Sequence, residues 1–209
     1  MPHTPLYHAR TLLGRSPDGR PLFTLPELTL PPGVTLVLGD EGVGKTTLLR
    51  LLAGAAPHGV QSAQLCGHDL HQASTAYHQE LAWFDPSDTT WEQTVVNEFW
   101  ARQATRFARW NADALQSLAQ ALGLQEHRAK PLYMLSTGSR RKALMAAALA
   151  SGAALTLLDM PFAALDGGAS RVLREVLADC ADHPSRAFVV ADYTAPAGVP
   201  VQQRIELGR

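Results

Sequence analysis

The sequence predicts an α/β fold with a mostly parallel sheet. Three observations predict it. Short continuous apolar runs, "VTLVLG" (34–39), "AALTLLD" (153–159) and "RAFVVAD" (186–192), read as buried parallel strands. Stretches of helical pattern stand between them. The first run passes straight through a glycine-rich loop into a helix.

Taken in order, "PLFTLPELTL" (21–30) alternates loosely and reads as a strand or hairpin arm, and Pro31-Pro32-Gly33 reads as a turn. In "GKTTLLRLLAG" (44–54), Leu48, Leu49, Leu51 and Leu52 give a helix one broad apolar face, with Gly54 placed to cap its end. Residues 93–122 carry helical patterns weighted by Trp100, Phe107 and Trp110, with Asn111 as N-cap of "ADALQSLAQAL". This block interrupts the strand–helix alternation, so residues 92–136 are read as an inserted helical subdomain within a single domain, 1–209. "LSTGSRRKALMAAALASG" (135–152) reads as a loop entering a helix, and "QRIEL" (203–207) as a last strand.

At 209 residues the chain is long enough for a substantial core. A formal net charge of −1 gives no reason to expect nucleic acid as a partner. Cys66 and Cys180 stand alone, which suits a reducing, cytoplasmic setting. "MPHTPLYHAR" lacks a signal-peptide core. The run Ala143–Leu158 is broken by Ser151-Gly152 and reads as a helix followed by a buried strand, so a soluble chain is expected.

"GDEGVGKTT" (39–47) fits G-x-x-x-x-G-K-[ST], with the strand before it and the helix after it that such a loop needs. Gly39, Gly42 and Gly44 let the backbone wrap a phosphate, with Asp40, Glu41, Val43 and Thr47 completing the loop. The helix N-terminus favours an anion. Lys45 brings a full positive charge, and the Thr46 hydroxyl suits Mg²⁺. ATP and Mg²⁺ are the expected ligands.

Two further stretches, "LSTGS" (135–139) and "LLDMPFAALD" (157–166), lie downstream, with Leu135 and Asp159 24 positions apart. With the loop at 39–47 they resemble the ATP-binding cassette (ABC) family over nearly the whole chain. Residues 70–83, "LHQASTAYHQELAW", look more narrowly like the ATPase subunits of the haem exporter of cytochrome c maturation. No cargo is carried over from that closer likeness. The resemblance implies an ABC-type P-loop core with an antiparallel β edge, and a head-to-tail dimer that traps two ATP molecules. Ser136 and Gly138 would face the partner's phosphate, and Asp159 would hold Mg²⁺ with Thr46. Asp166 would link the two sites. It also implies a second ABC ATPase subunit, identical or not, and a membrane-spanning partner. That partner would hold the chain at the inner face of the membrane.

Several positions depart from the family pattern. Met160 stands where a glutamate handles water, and a thioether accepts no proton from water. Losing a positioned general base costs about 10²–10⁴-fold in rate. Glu41 or Asp192 remain as substitute carboxylates. Asp192 aligns with the usual switch histidine, and a slip by one brings Ala191 or Tyr193, neither of them histidine. Asp85 and Ser87 stand nearest the usual glutamine. No aromatic occupies 11–15, where the adenine is usually stacked, and Tyr7 and Phe23 read as core or hairpin packing. Thr137 and Ser139 replace a glycine and a glutamine of the signature. Arg140, Arg141 and Lys142 read as a solvated helix face, or alternatively as a phosphate or dimer contact. His68, His71 and His78 lack a tetrahedral ligand set and read as surface or interface residues. The function expected is an ATP-binding transporter subunit with slow hydrolysis at a degenerate site. The alternative is a non-hydrolysing, nucleotide-gated scaffold paired with a complete ATPase.

Overall fold

A computed structural model describes residues 5–85 and 87–208; the first four residues of the N-terminal segment lie outside it. The chain opens with an antiparallel hairpin of β1 (Tyr7–Arg15) and β2 (Pro21–Leu30), paired from Tyr7↔Leu30 to Gly14↔Phe23. After the Pro31-Pro32 turn come β3 (Gly33–Leu38) and α1 (Lys45–Leu52). Next are β4 (Val60–Leu65), β5 (His68–Asp69), α2 (Ser74–Gln79) and β6 (Leu81–Ala82). Helices α3 (Val96–Arg106), α4 (Ala112–Ala121) and α5 (Thr137–Ala150) follow. The chain closes with β7 (Leu155–Asp159), α6 (Gly167–Cys180), β8 (Ala187–Asp192) and β9 (Gln203–Glu206).

Two sheets result. One is antiparallel, in the order β2-β1-β4-β5, and the other is wholly parallel, in the order β6-β7-β8-β3-β9. The α/β class and the antiparallel edge expected from the sequence are both present. The continuous apolar strands are explained by burial on two faces. Along β8, Phe188 and Val190 enter one core cluster while Ala187, Val189 and Ala191 enter the other. β3 divides in the same way: Val34 and Leu36 face α5 and α6, and Val37 faces α1.

The alanine-rich run proves to be the core of α5, where Ala143 through Ala150 are all buried. A helix apolar all round belongs in an interior. Among the described residues no helix is long and apolar enough to cross a membrane. Small side chains there let neighbours approach closely. Trp100 Nε1 of α3 donates to the Ala143 carbonyl at 3.0 Å, and the Asn111 N–H donates to the Ala150 carbonyl at 2.8 Å. Gly152 (φ 67°) ends the helix where an added Cβ would lie 2.1 Å from the Arg109 carbonyl oxygen, so only glycine fits. Asn111 caps α4 as its sequence position suggested, its side chain accepting from the Ala114 N–H at 2.9 Å.

Candidate functional site

The β3–α1 connection forms an open cradle. Gly42 and Gly44 take φ of 77° and 105°, left-handed values that side chains resist. A Cβ on Gly44 would also strike the Phe23 ring at 2.9 Å. Phe23 thus leans on the loop from the hairpin, while Tyr7 is wholly buried in the core. A Cβ on Gly39 would sit 2.8 Å from Val43 and 2.7 Å from the Leu207 carbonyl oxygen. These close approaches pin the loop to the end of the parallel sheet. Asp40 and Glu41 project outward and Thr47 is half-buried.

Lys45 opens α1 and folds back over the loop. Its Nζ donates to the Gly39 carbonyl at 2.6 Å and to that of Asp40 at 2.8 Å. Burial pulls its pKa down, opposed by the attraction of Asp192, Asp159, Asp40 and Glu41. Thr46 Oγ1 donates to Asp159 Oδ2 at 2.7 Å, joining the start of α1 to the end of β7 across 113 residues of chain. Asp159 Oδ1 is buried without a partner among the described residues. Burial raises the Asp159 pKa, and the Thr46 hydrogen bond works against that. A carboxylate with one free buried oxygen, beside a hydroxyl, fits Mg²⁺, which prefers oxygen ligands and keeps several waters.

Asp85 stands near this pair. Its Oδ2 accepts from Arg50 Nε at 3.0 Å and its Oδ1 from the Ser87 N–H and hydroxyl at 2.9 and 2.7 Å. Burial pushes its pKa up, but the hydrogen bonds outweigh that and hold it below the ordinary range. Its charge in turn raises the Asp159 pKa, so Arg50 is a partner of the site that the sequence did not disclose.

The basic run is not a solvated face. Arg140 reaches Glu92 at 2.9 Å, Lys142 reaches Asp166 at 2.7 Å, and Arg141 Nη1 donates to the carbonyls of Asp159 and Met160 at 2.9 and 2.5 Å. Arg141 therefore grips the turn that carries the candidate metal ligand. Lys142 and the Ala169 N–H hold the Asp166 carboxyl down to about 2. A cavity of roughly 330 Å³ opens beside Asp159, bounded by Phe84, Glu92, Thr137, Arg140 and Arg141, and no residue of the 39–47 loop lines it.

At the N-terminus of α5, Ser136 Oγ accepts from the Ser139 N–H at 3.1 Å and caps the helix. Ser139 Oγ lies 3.2 Å from His127 Nε2. A Cβ on Gly138 would meet the Ala164 carbonyl oxygen at 2.4 Å, so the signature turn packs on the chain's own "ALD" segment. His78 Nδ1 and Nε2 lie 2.7 and 3.1 Å from the Ser74 and Ala53 carbonyl oxygens, an arrangement that ties α2 to α1.

Met160, just after β7, and Asp192, the last residue of β8, differ in kind. Met160 takes φ 46°, and its N–H donates to the Ala191 carbonyl at 2.9 Å. Asp192, 8% exposed, accepts from the Tyr193 N–H at 2.7 Å through Oδ1, while Oδ2 has no partner among the described residues. Burial raises its pKa. The ring that meets the loop lysine is that of Tyr193, with its centroid 4.2 Å from Lys45 Nζ.

Fold and cradle define a P-loop nucleotide-binding domain. The chain belongs to the ABC transporter family, whose model matches residues 26–163, and it is the ATP-binding subunit of such a transporter. It is 34% identical over 190 residues to the cytochrome c biogenesis ATP-binding export protein CcmA of Escherichia coli strain K12, covering 88% of this chain and 86% of that one. Its fold matches the solved ATP-binding subunit of an ABC transporter with a TM-score of 0.77 at 17% identity, over 90% of this chain and 79% of that chain. The structure of cbiO1 from Clostridium perfringens, part of the transporter complex cbiONQ, matches with a TM-score of 0.63 at 19% identity. It covers 91% of this chain and 79% of that chain.

Proposed function

We propose that this subunit serves an exporter of cytochrome c biogenesis, and that its own site holds MgATP and hydrolyses it slowly. The observation that carries the slow site is Met160. It sits next to Asp159 on the turn gripped by Arg141, and its side chain has no proton-accepting atom suited to water. The export role is supported by the 34% identity to CcmA over most of both chains.

In this reading residues 39–44 wrap the phosphates, with Lys45 as charge partner, and Thr46 and Asp159 hold the metal. Mg²⁺, when bound, neutralises phosphate charge. Asp192 is a restricted substitute base, because it ends the buried strand β8 and one of its oxygens is spent on the Tyr193 N–H. Glu41 lies exposed on the loop. Ser136 and Gly138 would complete the nucleotide site of a second ABC ATPase subunit. A membrane-spanning subunit would place the chain at the cytoplasmic face.

A second reading follows from the same residue. With Met160 inert, the chain would be a nucleotide-gated scaffold beside a complete ATPase. Steady-state ATP turnover with the membrane-spanning subunit present separates the two. Slow turnover that Lys45→Ala removes and Met160→Glu raises tenfold or more supports the first. Turnover absent in both wild type and Met160→Glu, with ATP still bound, supports the second. Fast wild-type turnover indifferent to Met160 sinks the degenerate site.

A further inference from the structure

We propose that Tyr193 is a phosphate-site residue: its ring holds the Lys45 ammonium and must be displaced when the terminal phosphate of a nucleoside triphosphate arrives. The inference rests on the reading that the 39–47 loop binds MgATP. Lys45 has three donors. Two are spent on the Gly39 and Asp40 carbonyls at 2.6 and 2.8 Å, and the ammonium also faces the Tyr193 ring at 4.2 Å. Its bonding capacity is thus met within the chain.

The ring stands where an incoming anion must make its charge contact. An aromatic face attracts an ammonium through its quadrupole, as a weak and neutral counterpart of phosphate. The partner and the ligand compete for one cation.

Tyr193 is built to leave. It lies one residue past β8 and is 50% exposed. Its hydroxyl makes no hydrogen bond among the described residues. Its backbone, by contrast, is fixed, because its N–H donates to Asp192 Oδ1 at 2.7 Å and Asp192 ends a buried strand. A side-chain rotation therefore suffices, and exposed rotamers change within nanoseconds. The residue loosens nucleotide binding modestly and registers occupancy of the site at the end of β8.

The test compares MgATP affinity of the full chain by calorimetry for wild type, Tyr193→Ala and Tyr193→Phe. Exposed cation–π contacts correspond to about two- to fivefold in an equilibrium constant. Tyr193→Ala is expected to bind that much more tightly, and Tyr193→Phe, which keeps the ring face, to bind like wild type. A second readout needs no turnover. In 3-fluorotyrosine-labelled protein, MgATP should move the fluorine signal that Tyr193→Phe lacks, and Lys45→Ala should move it without nucleotide. Unchanged or weaker binding by Tyr193→Ala overturns the proposal. So does weaker binding by Tyr193→Phe, which would make the hydroxyl the ligand. Tight wild-type binding with an unmoved signal overturns this inference alone, whereas no binding by wild type overturns the proposed function with it.

Discussion

At Met160 the backbone takes φ 46° and at Ala164 φ 59°, two left-handed residues within one short turn. Such a conformation costs roughly 1–2 kcal/mol for a side-chain-bearing residue. Arg141, donating to the Asp159 and Met160 carbonyls, and the Met160 N–H bond to Ala191 hold it in place. An unbranched glutamate tolerates that backbone much as methionine does. Met160→Glu should therefore leave Tm within about 2 °C of wild type, so a change in turnover reports chemistry rather than unfolding. Met160→Val, branched at Cβ, should lower it by several degrees. Asp192 offers a pH test. Burial raises its folded pKa, so the fold prefers it protonated and loses stability as pH rises through that value. Asp192→Asn keeps the acceptor for the Tyr193 N–H and removes the charge. It should raise Tm at pH 7, with the gain shrinking as pH falls toward the ordinary carboxylate value of about 3.9, measured by calorimetry across pH. An equal gain at every pH would refute burial as the cause.

The elements that build the site meet by close backbone approach, which is why some were legible in the sequence and others were not. The strands that became β3, β7 and β8 were readable because burial on both faces leaves unbroken apolar runs. The cap at Asn111 was readable because its side chain bonds three residues away. By contrast, β1, "YHARTLLGR", pairs with both β2 and β4, and its mixed burial pattern gave no clean period of two. β6 is only two residues long and α2 six, too short for periodicity. The basic run misled because the partners of Arg140, Arg141 and Lys142 lie 18 to 52 positions away. Tyr193 was passed over because sequence offered only its lack of an imidazole, not the ammonium beside it. Gly138 shows the same long-range dependence, since its missing Cβ makes room for the Ala164 carbonyl oxygen. Gly138→Ala should cost about 1–3 kcal/mol by overpacking, lowering Tm by about 2–4 °C per kcal/mol. It should do so without nucleotide or partner, whereas a purely intersubunit role would leave the Tm of the isolated chain unchanged.

For the whole molecule, the loop at 39–47 ties together pieces that otherwise belong to different layers. Phe23 of the antiparallel hairpin lies against Gly44, Val43 packs near Gly39 and Gly208, and Thr46 reaches Asp159 across the parallel sheet. A ligand seated in the loop is held only while these layers are assembled, so it should stabilise the folded chain as a unit. A ligand that binds only the folded state adds RT ln(1 + [L]/Kd), about 2.7 kcal/mol at a hundredfold excess over Kd. In a chain of this size that corresponds to a rise in Tm of about 5–10 °C. Lys45→Ala should lose most of the rise, because it removes the charge partner of the phosphates. It should nonetheless unfold near the wild-type temperature, since the two carbonyl bonds it gives up are to a half-exposed loop. The metal is tested in the same experiment. Replacing Mg²⁺ by a chelator should reduce the wild-type rise and leave Asp159→Asn, already short of a ligand charge, less affected. An equal rise with and without Mg²⁺ would remove Thr46 and Asp159 from the metal site while leaving the phosphate cradle intact.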